Sequence, residues 1–126
     1  MSHTVQVKTE FKNVKTLTKV LESLGWSVVQ KRQIRTYDLD KTVYDCVALN
    51  PSTSGYDIGI NVNGKNGLEV KCDLFGGSIE ATLGSNLTKL KQKYAVQSVR
   101  DLYQYKNVII TVKDGQQGNT VITIQE

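Results

Sequence analysis

The sequence predicts an α+β fold in the order β-α-β-β-β-β-α-β-β, a mainly antiparallel sheet of about six to seven strands with two helices on one face. Three observations predict it. Apolar and polar residues alternate with period two in several short segments; the period lengthens to that of a helix in two places; and consecutive strand segments are separated by turn formers rather than crossover helices. With 126 residues, 39% of them hydrophobic, the chain fits one domain over residues 1–126. A fold of this size buries roughly 65% of the surface exposed by its unfolded chain, so it needs no disulfide or metal staple.

Val5, Val7, Thr9 and Phe11 alternate with Gln6, Lys8 and Glu10, which predicts a first strand with one wet face. Asn13 offers a helix N-cap. Val14, Leu17, Leu21 and Leu24 then recur at helical spacing up to Gly25, a residue suited to the left-handed turn after a helix. Trp26 to Arg35 reads as a second extended stretch ending in the basic run Lys31-Arg32-Gln33-Ile34-Arg35. Thr42 to Leu49 is rich in β formers and presents either Val43, Val47 and Leu49 or Tyr44, Cys46 and Ala48 inward; Asn50 to Gly55 closes it as a loop. Tyr56, Ile58, Ile60 and Val62, then Leu68, Val70, Cys72 and Leu74, alternate on either side of Asn63 to Gly67 and predict a hairpin with its apolar faces on one side. Phe75 to Ser85, with three glycines, reads as a loop containing at most a short turn. Leu87, Leu90, Tyr94, Val99, Leu102 and Tyr103 predict one side of a long second helix capped near Ser85 or Asn86. Val108 to Val112 and Thr120 to Ile124 flank a glycine-containing turn and predict a last hairpin.

The familiar chemistries lack their residues. His3 is the single histidine and stands beside the terminus, where a general base would be poorly held. Cys46 and Cys72 form no CxxC pair and have no obvious activating base, so free buried thiols are expected, with a disulfide only if their strands are neighbours. Asp38, Asp40, Asp45, Asp57 and Asp73 match no calcium loop and are expected to be solvated charges of loops and strand edges. The glycines make no phosphate loop. No enzyme activity, cofactor or metal is therefore expected. The apolar runs are too short to span a membrane, and the N-terminus lacks the basic-then-apolar pattern of a secretory signal, so a cytoplasmic location is expected.

The net charge of +4 is unevenly spread. Residues 1–35 carry 7 Lys/Arg against 2 Asp/Glu, residues 36–80 carry 3 against 7, and residues 81–126 carry 6 against 3. This basic, acidic, basic order can set up separate surface fields. Lys31, Arg32 and Arg35, together with Lys89 and Lys93 on one face of the long helix, are the candidate phosphate contacts of a nucleic-acid-binding alternative, with Tyr37, Tyr44 or Tyr56 as stacking platforms.

The order Ser2-His3, Lys8-Thr9, Leu17, Leu21, Leu24-Gly25, Gly55-Tyr56-Asp57-Ile58-Gly59, Asn63-Gly64, Asp73-Leu74 and Gln92-Lys93-Tyr94-Ala95 with Val99 resembles the hypothetical chloroplast reading frame thirty-five family. That is a family of unknown function in cyanobacteria and plastids, with copies expected in cyanophages. Thr4 stands where the family pattern has a large apolar residue, Lys93 stands where it has Arg, and the C-terminal third matches loosely. The resemblance implies an accessory protein of a photosynthetic bacterium, plastid or cyanophage, located in the stroma if plastid and in the host cytoplasm if phage. It brings no catalytic residue. The leading expectation is a non-enzymatic module that binds a protein partner, with Tyr56, Asp57 and Tyr94 as candidate interaction residues; the structural alternative is that Tyr94 packs helix two on the sheet and Asp57 pairs or caps across the hairpin. Nucleic-acid binding is the alternative, and a small-molecule-binding protein or enzyme, with a pocket lined by Trp26 and the tyrosines, is third. Open edge strands would also allow a homodimer.

Overall fold

A computed structural model of the chain describes residues 4–7, 11–37, 41–62, 67–102, 109–114 and 120–125. The elements are β1 (Thr4–Val7), α1 (Val14–Ser23), β2 (Ser27–Gln33), β3 (Val43–Leu49), β4 (Ile58–Asn61), β5 (Glu69–Asp73), α2 (Ser78–Leu83), α3 (Thr88–Leu102), β6 (Ile109–Asp114) and β7 (Thr120–Gln125). The fold is α+β and its sheet antiparallel, as the alternation predicts. The strands are divided, however: five form a sheet in the order β1-β5-β4-β3-β2, while β6 and β7 form a separate two-stranded ribbon beside α3. The expected single sheet of six to seven strands is corrected accordingly. A period-two pattern is the same whether a strand joins a large sheet or pairs only with its neighbour in sequence.

Local signals place α1. The Asn13 side chain accepts hydrogen bonds from the backbone N–H groups of Lys15 (2.9 Å) and Thr16 (3.2 Å), satisfying donors that have no partner within the helix. Gly25 follows the helix at φ +91°, which a side chain would make costly. The face bearing Leu17, Val20 and Leu21 is buried. It packs with Leu90 and Tyr94 of α3 onto one face of the sheet, formed by Cys46, Ala48, Ile58, Ile60, Val70 and Cys72. Cross-strand pairs Ile58↔Cys72 and Ile60↔Val70 set the expected common apolar side of the β4–β5 hairpin; its turn, 63–66, lies outside the described residues.

Two helical expectations change. The glycine-rich stretch expected to be loop contains α2, whose Ile79 and Leu83, one turn apart, are both buried. Two apolar anchors between glycines are too few to register as a period. In α3, Leu102 is 77% exposed rather than packed. At 3.6 residues per turn it sits about 120° around the helix from Leu90. Tyr103 lies outside the described residues.

Tyr94 joins α3 to the start of α1. Its hydroxyl oxygen accepts the backbone N–H groups of Lys12 (2.8 Å) and Asn13 (2.9 Å), and its ring meets Phe11 edge-on at 5.0 Å. Tyr94→Phe leaves those two amides without this acceptor, and we expect a loss of about 1–2 kcal/mol, read by urea unfolding. A change below about 0.5 kcal/mol would show that water replaces the hydroxyl.

Cys46 pairs with Ile60 and Cys72 with Ile58, so β4 separates the two thiols, which are buried and form no disulfide. Burial, with a smaller contribution from Asp45, raises the Cys46 pKa. Burial, with Asp73 and Glu80 adding to it against Lys91, pushes the Cys72 thiol up to about 12. Both should react with an aromatic disulfide reagent at less than about a hundredth of their rate in denaturant, because the thiolate is the nucleophile. Rapid labelling of the native protein would contradict this.

Candidate functional site

The second face of the sheet, away from the helices, is shaped by an interruption of the β2–β3 pairing at Lys31 and Asp45. Pairing is regular from Ser27↔Leu49 to Gln30↔Cys46 and resumes at Arg32↔Tyr44, skipping Lys31, whose φ is +44°. On the other side of β3 the Asp45 N–H bonds the Asn61 side chain (3.1 Å), and the Val62 N–H bonds the Asp45 carboxylate (2.8 Å). Strict alternation would put Tyr44 on the helix side with Cys46 and Ala48. Its ring instead lies over Gly59, on the opposite face, in a cluster with Ile34 and Val47. Neither alternative for the inward set of β3 therefore holds along its whole length: Cys46 and Ala48 face the helices, while Tyr44 and Val47 belong to the second face.

Past β2, residues 34–37 run across the ends of β4 and β5, held by two buried carboxylates. Asp57, 1% exposed, accepts the Arg35 backbone N–H and Nε on Oδ2 (both 3.0 Å). Its Oδ1 accepts Arg35 Nη2 (2.8 Å) and the Asn50 N–H (3.0 Å). Asp73, fully buried, accepts the N–H groups of Tyr37 (3.0 Å) and Phe75 (3.0 Å), and the Tyr37 ring packs on Phe75 at 4.8 Å. The expectation that these two aspartates are solvated is overturned: each is kept inside by N–H donors from a distant segment. Arg35 also donates to the Thr53 carbonyl (2.7 Å) and the Asn50 carbonyl (3.3 Å), fastening the loop after β3. Its hydrogen bond to Asp57, with the Asp57 charge adding and desolvation opposing, raises its pKa.

Between β2 and this loop lies an open groove of about 830 Å³, walled by Lys31, Arg32 and Gln33 on one side and by Asn50, Pro51 and Thr53 on the other. Ile34, Val43 and Leu49 give it an apolar lining. Arg35 is engaged by Asp57, and Lys31 and Arg32, both exposed, are the other charged residues of the described lining.

The candidate residues thus separate. Asp57 and Tyr94 are buried and hold the fold together; Tyr56 is half-buried, its N–H bonded to the Ser78 hydroxyl (3.1 Å). Lys31, Arg32 and Arg35 line the groove. Lys89 and Lys93 line a different depression between α1 and α3, with Arg100, Gln92 and Gln97. Nearby, Asp101 of α3 joins Lys19 (3.5 Å) and Gln97 (2.8 Å), and the Gln97 hydrogen bond is the main cause of its lowered pKa. Trp26 is enclosed in the main core, apart from Tyr37 and Tyr44, so these rings do not converge on one pocket. Among the described residues no three His, Cys, Asp or Glu side chains come together as a metal site, and no helix is long and apolar enough to cross a membrane. His3 lies outside the described residues. What the sequence did not single out is the role of Val43, Leu49 and the Asn50–Thr53 loop. Val43 and Leu49 on alternate positions of a β-rich segment were the only available signal.

A family model described as a protein of unknown function (DUF1257) matches residues 20–123. No curated protein and no solved structure matches the chain.

Proposed function

The chain belongs to the DUF1257 family of proteins of unknown function, and from that premise we propose that it is a non-enzymatic interaction module that binds a protein partner through the groove beside β2. The observation that carries this reading is the composition of that surface: two exposed cations next to exposed apolar area, Val43 being 59% exposed. Specific protein contacts combine such an apolar centre with a charged rim. The family resemblance suggests an accessory role in a photosynthetic bacterium, plastid or cyanophage, in the cytoplasm or stroma.

The test is capture from a nuclease-treated cyanobacterial lysate with the wild-type chain and with Lys31→Glu/Arg32→Glu. The wild type should retain a defined protein that the double variant loses. Equal retention by both would refute the groove as the binding surface.

Nucleic-acid binding has its own favourable observation: Lys89, Lys93 and Arg100 share one depression. Phosphate contacts there would make affinity fall steeply with salt. A flat salt response, or capture indifferent to nuclease, would dismiss that reading.

A further inference from the structure

We infer that the partner is a short acidic segment that docks in extended form as a sixth strand beside the groove, on the edge of β2 that pairs with no strand among the described residues. This rests on the interaction reading above and adds to it the partner's chemistry and docking mode.

Three features converge on it. First, β2 is the last strand of the five-stranded sheet. In an antiparallel pair the backbone groups of alternate residues point away from the neighbouring strand, so β2 offers N–H and C=O groups to another strand on either side of Lys31. Ser27 and Gln30 to Gln33 are exposed along that edge. Second, the exposed charges of the described groove lining are positive. Lys31 and Arg32 stand exposed on the groove wall, while the acidic lining residue, Asp57, is buried against Arg35. Third, apolar side chains lie beside the charges: Val29 and Leu49 are half-buried against the cluster of Ile34, Tyr44 and Val47, and Val43 is exposed. A segment alternating acidic and β-branched residues matches both, its backbone bonding supplying affinity and its side chains supplying selection.

The same charges disfavour a second copy at this edge. Antiparallel pairing of two β2 strands about Gln30 would bring Lys31 and Arg32 of each copy within a few residues of those of the other, clustering like charges. Single-stranded nucleic acid is disfavoured because the described residues of the groove lining include no aromatic ring on which bases could stack.

The test is an NMR titration of the isotopically labelled full chain with a capped synthetic peptide alternating Glu and Val, against its Lys-Val counterpart and a single-stranded oligothymidine. We expect the acidic peptide alone to shift the amides of Ser27 to Gln33 and to slow exchange of alternate ones. Lys31→Glu/Arg32→Glu, folded as judged by unchanged Trp26 fluorescence, should weaken that binding at least about tenfold and favour the Lys-Val peptide. The proposal is overturned if the acidic peptide leaves β2 unperturbed, if both peptides act alike, or if binding occurs without amide protection. It is likewise overturned if only oligothymidine binds. Should the double variant lose its lysate partner while the acidic peptide leaves β2 untouched, strand addition falls and the interaction reading stands; indifference of lysate capture to that variant would remove both.

Discussion

Asp57→Ala should lower the stability of the fold by about 3 kcal/mol, the largest single-residue effect we expect outside the apolar core. The substitution strips partners from the Arg35 backbone N–H, from two guanidinium nitrogens and from the Asn50 N–H at once. Asn50 is 6% exposed, so water cannot readily replace the carboxylate there. The Arg35 side chain is 42% exposed, and its hydration keeps the loss at the lower end of the range of roughly 3–5 kcal/mol for breaking a fully buried pair. Asp57→Asn, which keeps one acceptor oxygen, should cost less. Urea unfolding followed by the fluorescence of Trp26, the single tryptophan, measures both. Hydrogen exchange should show residues 34–37 loosening in Asp57→Ala before the helices do. A loss under about 1 kcal/mol would mean that the crossing segment is held mainly by the Ile34 cluster.

Gly59→Ala should cost about 2 kcal/mol although it adds one methyl group. A Cβ at this position would stand 2.6 Å from Cγ and Cδ1 of Tyr44. Those atoms lie near the root of a ring that is 2% exposed, so the ring cannot swing aside without unpacking Ile34 and Val47. The gain from restricting the unfolded chain, about 0.4–1 kcal/mol, offsets only part of the clash. In a Tyr44→Ala background the same change should cost less than about 0.5 kcal/mol, and the difference is a double-mutant coupling. Absence of coupling would show that the change of face at Tyr44 does not depend on its ring lying over Gly59. Ile34, which packs with Tyr44, lines the groove, so Gly59→Ala should also weaken binding of the acidic peptide.

Which features were legible beforehand depended on how far apart in the chain their causes lie. The Asn13 cap, the Leu17-Leu21 stripe, the Gly25 stop and the β4–β5 hairpin are written in neighbouring residues and follow from period and turn chemistry. Asp57 and Tyr94 were candidate contacts for a partner, with a structural role in packing and pairing as the alternative; the structure gives both the structural role, though with partners the sequence did not name. Asp57 meets Arg35 across 22 positions and Tyr94 meets Asn13 across 81, separations at which no local pattern operates.

By itself, then, the sequence determined the α+β class, the antiparallel character of the strands and the helix over residues 14–23, because each of these depends on side chains a few positions apart meeting water or core in turn. Tertiary structure alone decided that β6 and β7 stand apart from the main sheet, that residues 78–83 are helical, that Tyr44 changes face, and that Lys31 and Arg32 border a groove from which the Arg35 charge has been withdrawn. The physical reason is shared: hydrogen-bond partners and burial at these positions come from segments brought together only on folding, and a carboxylate or an edge strand has the same local sequence whether its partner is solvent, another strand or another protein.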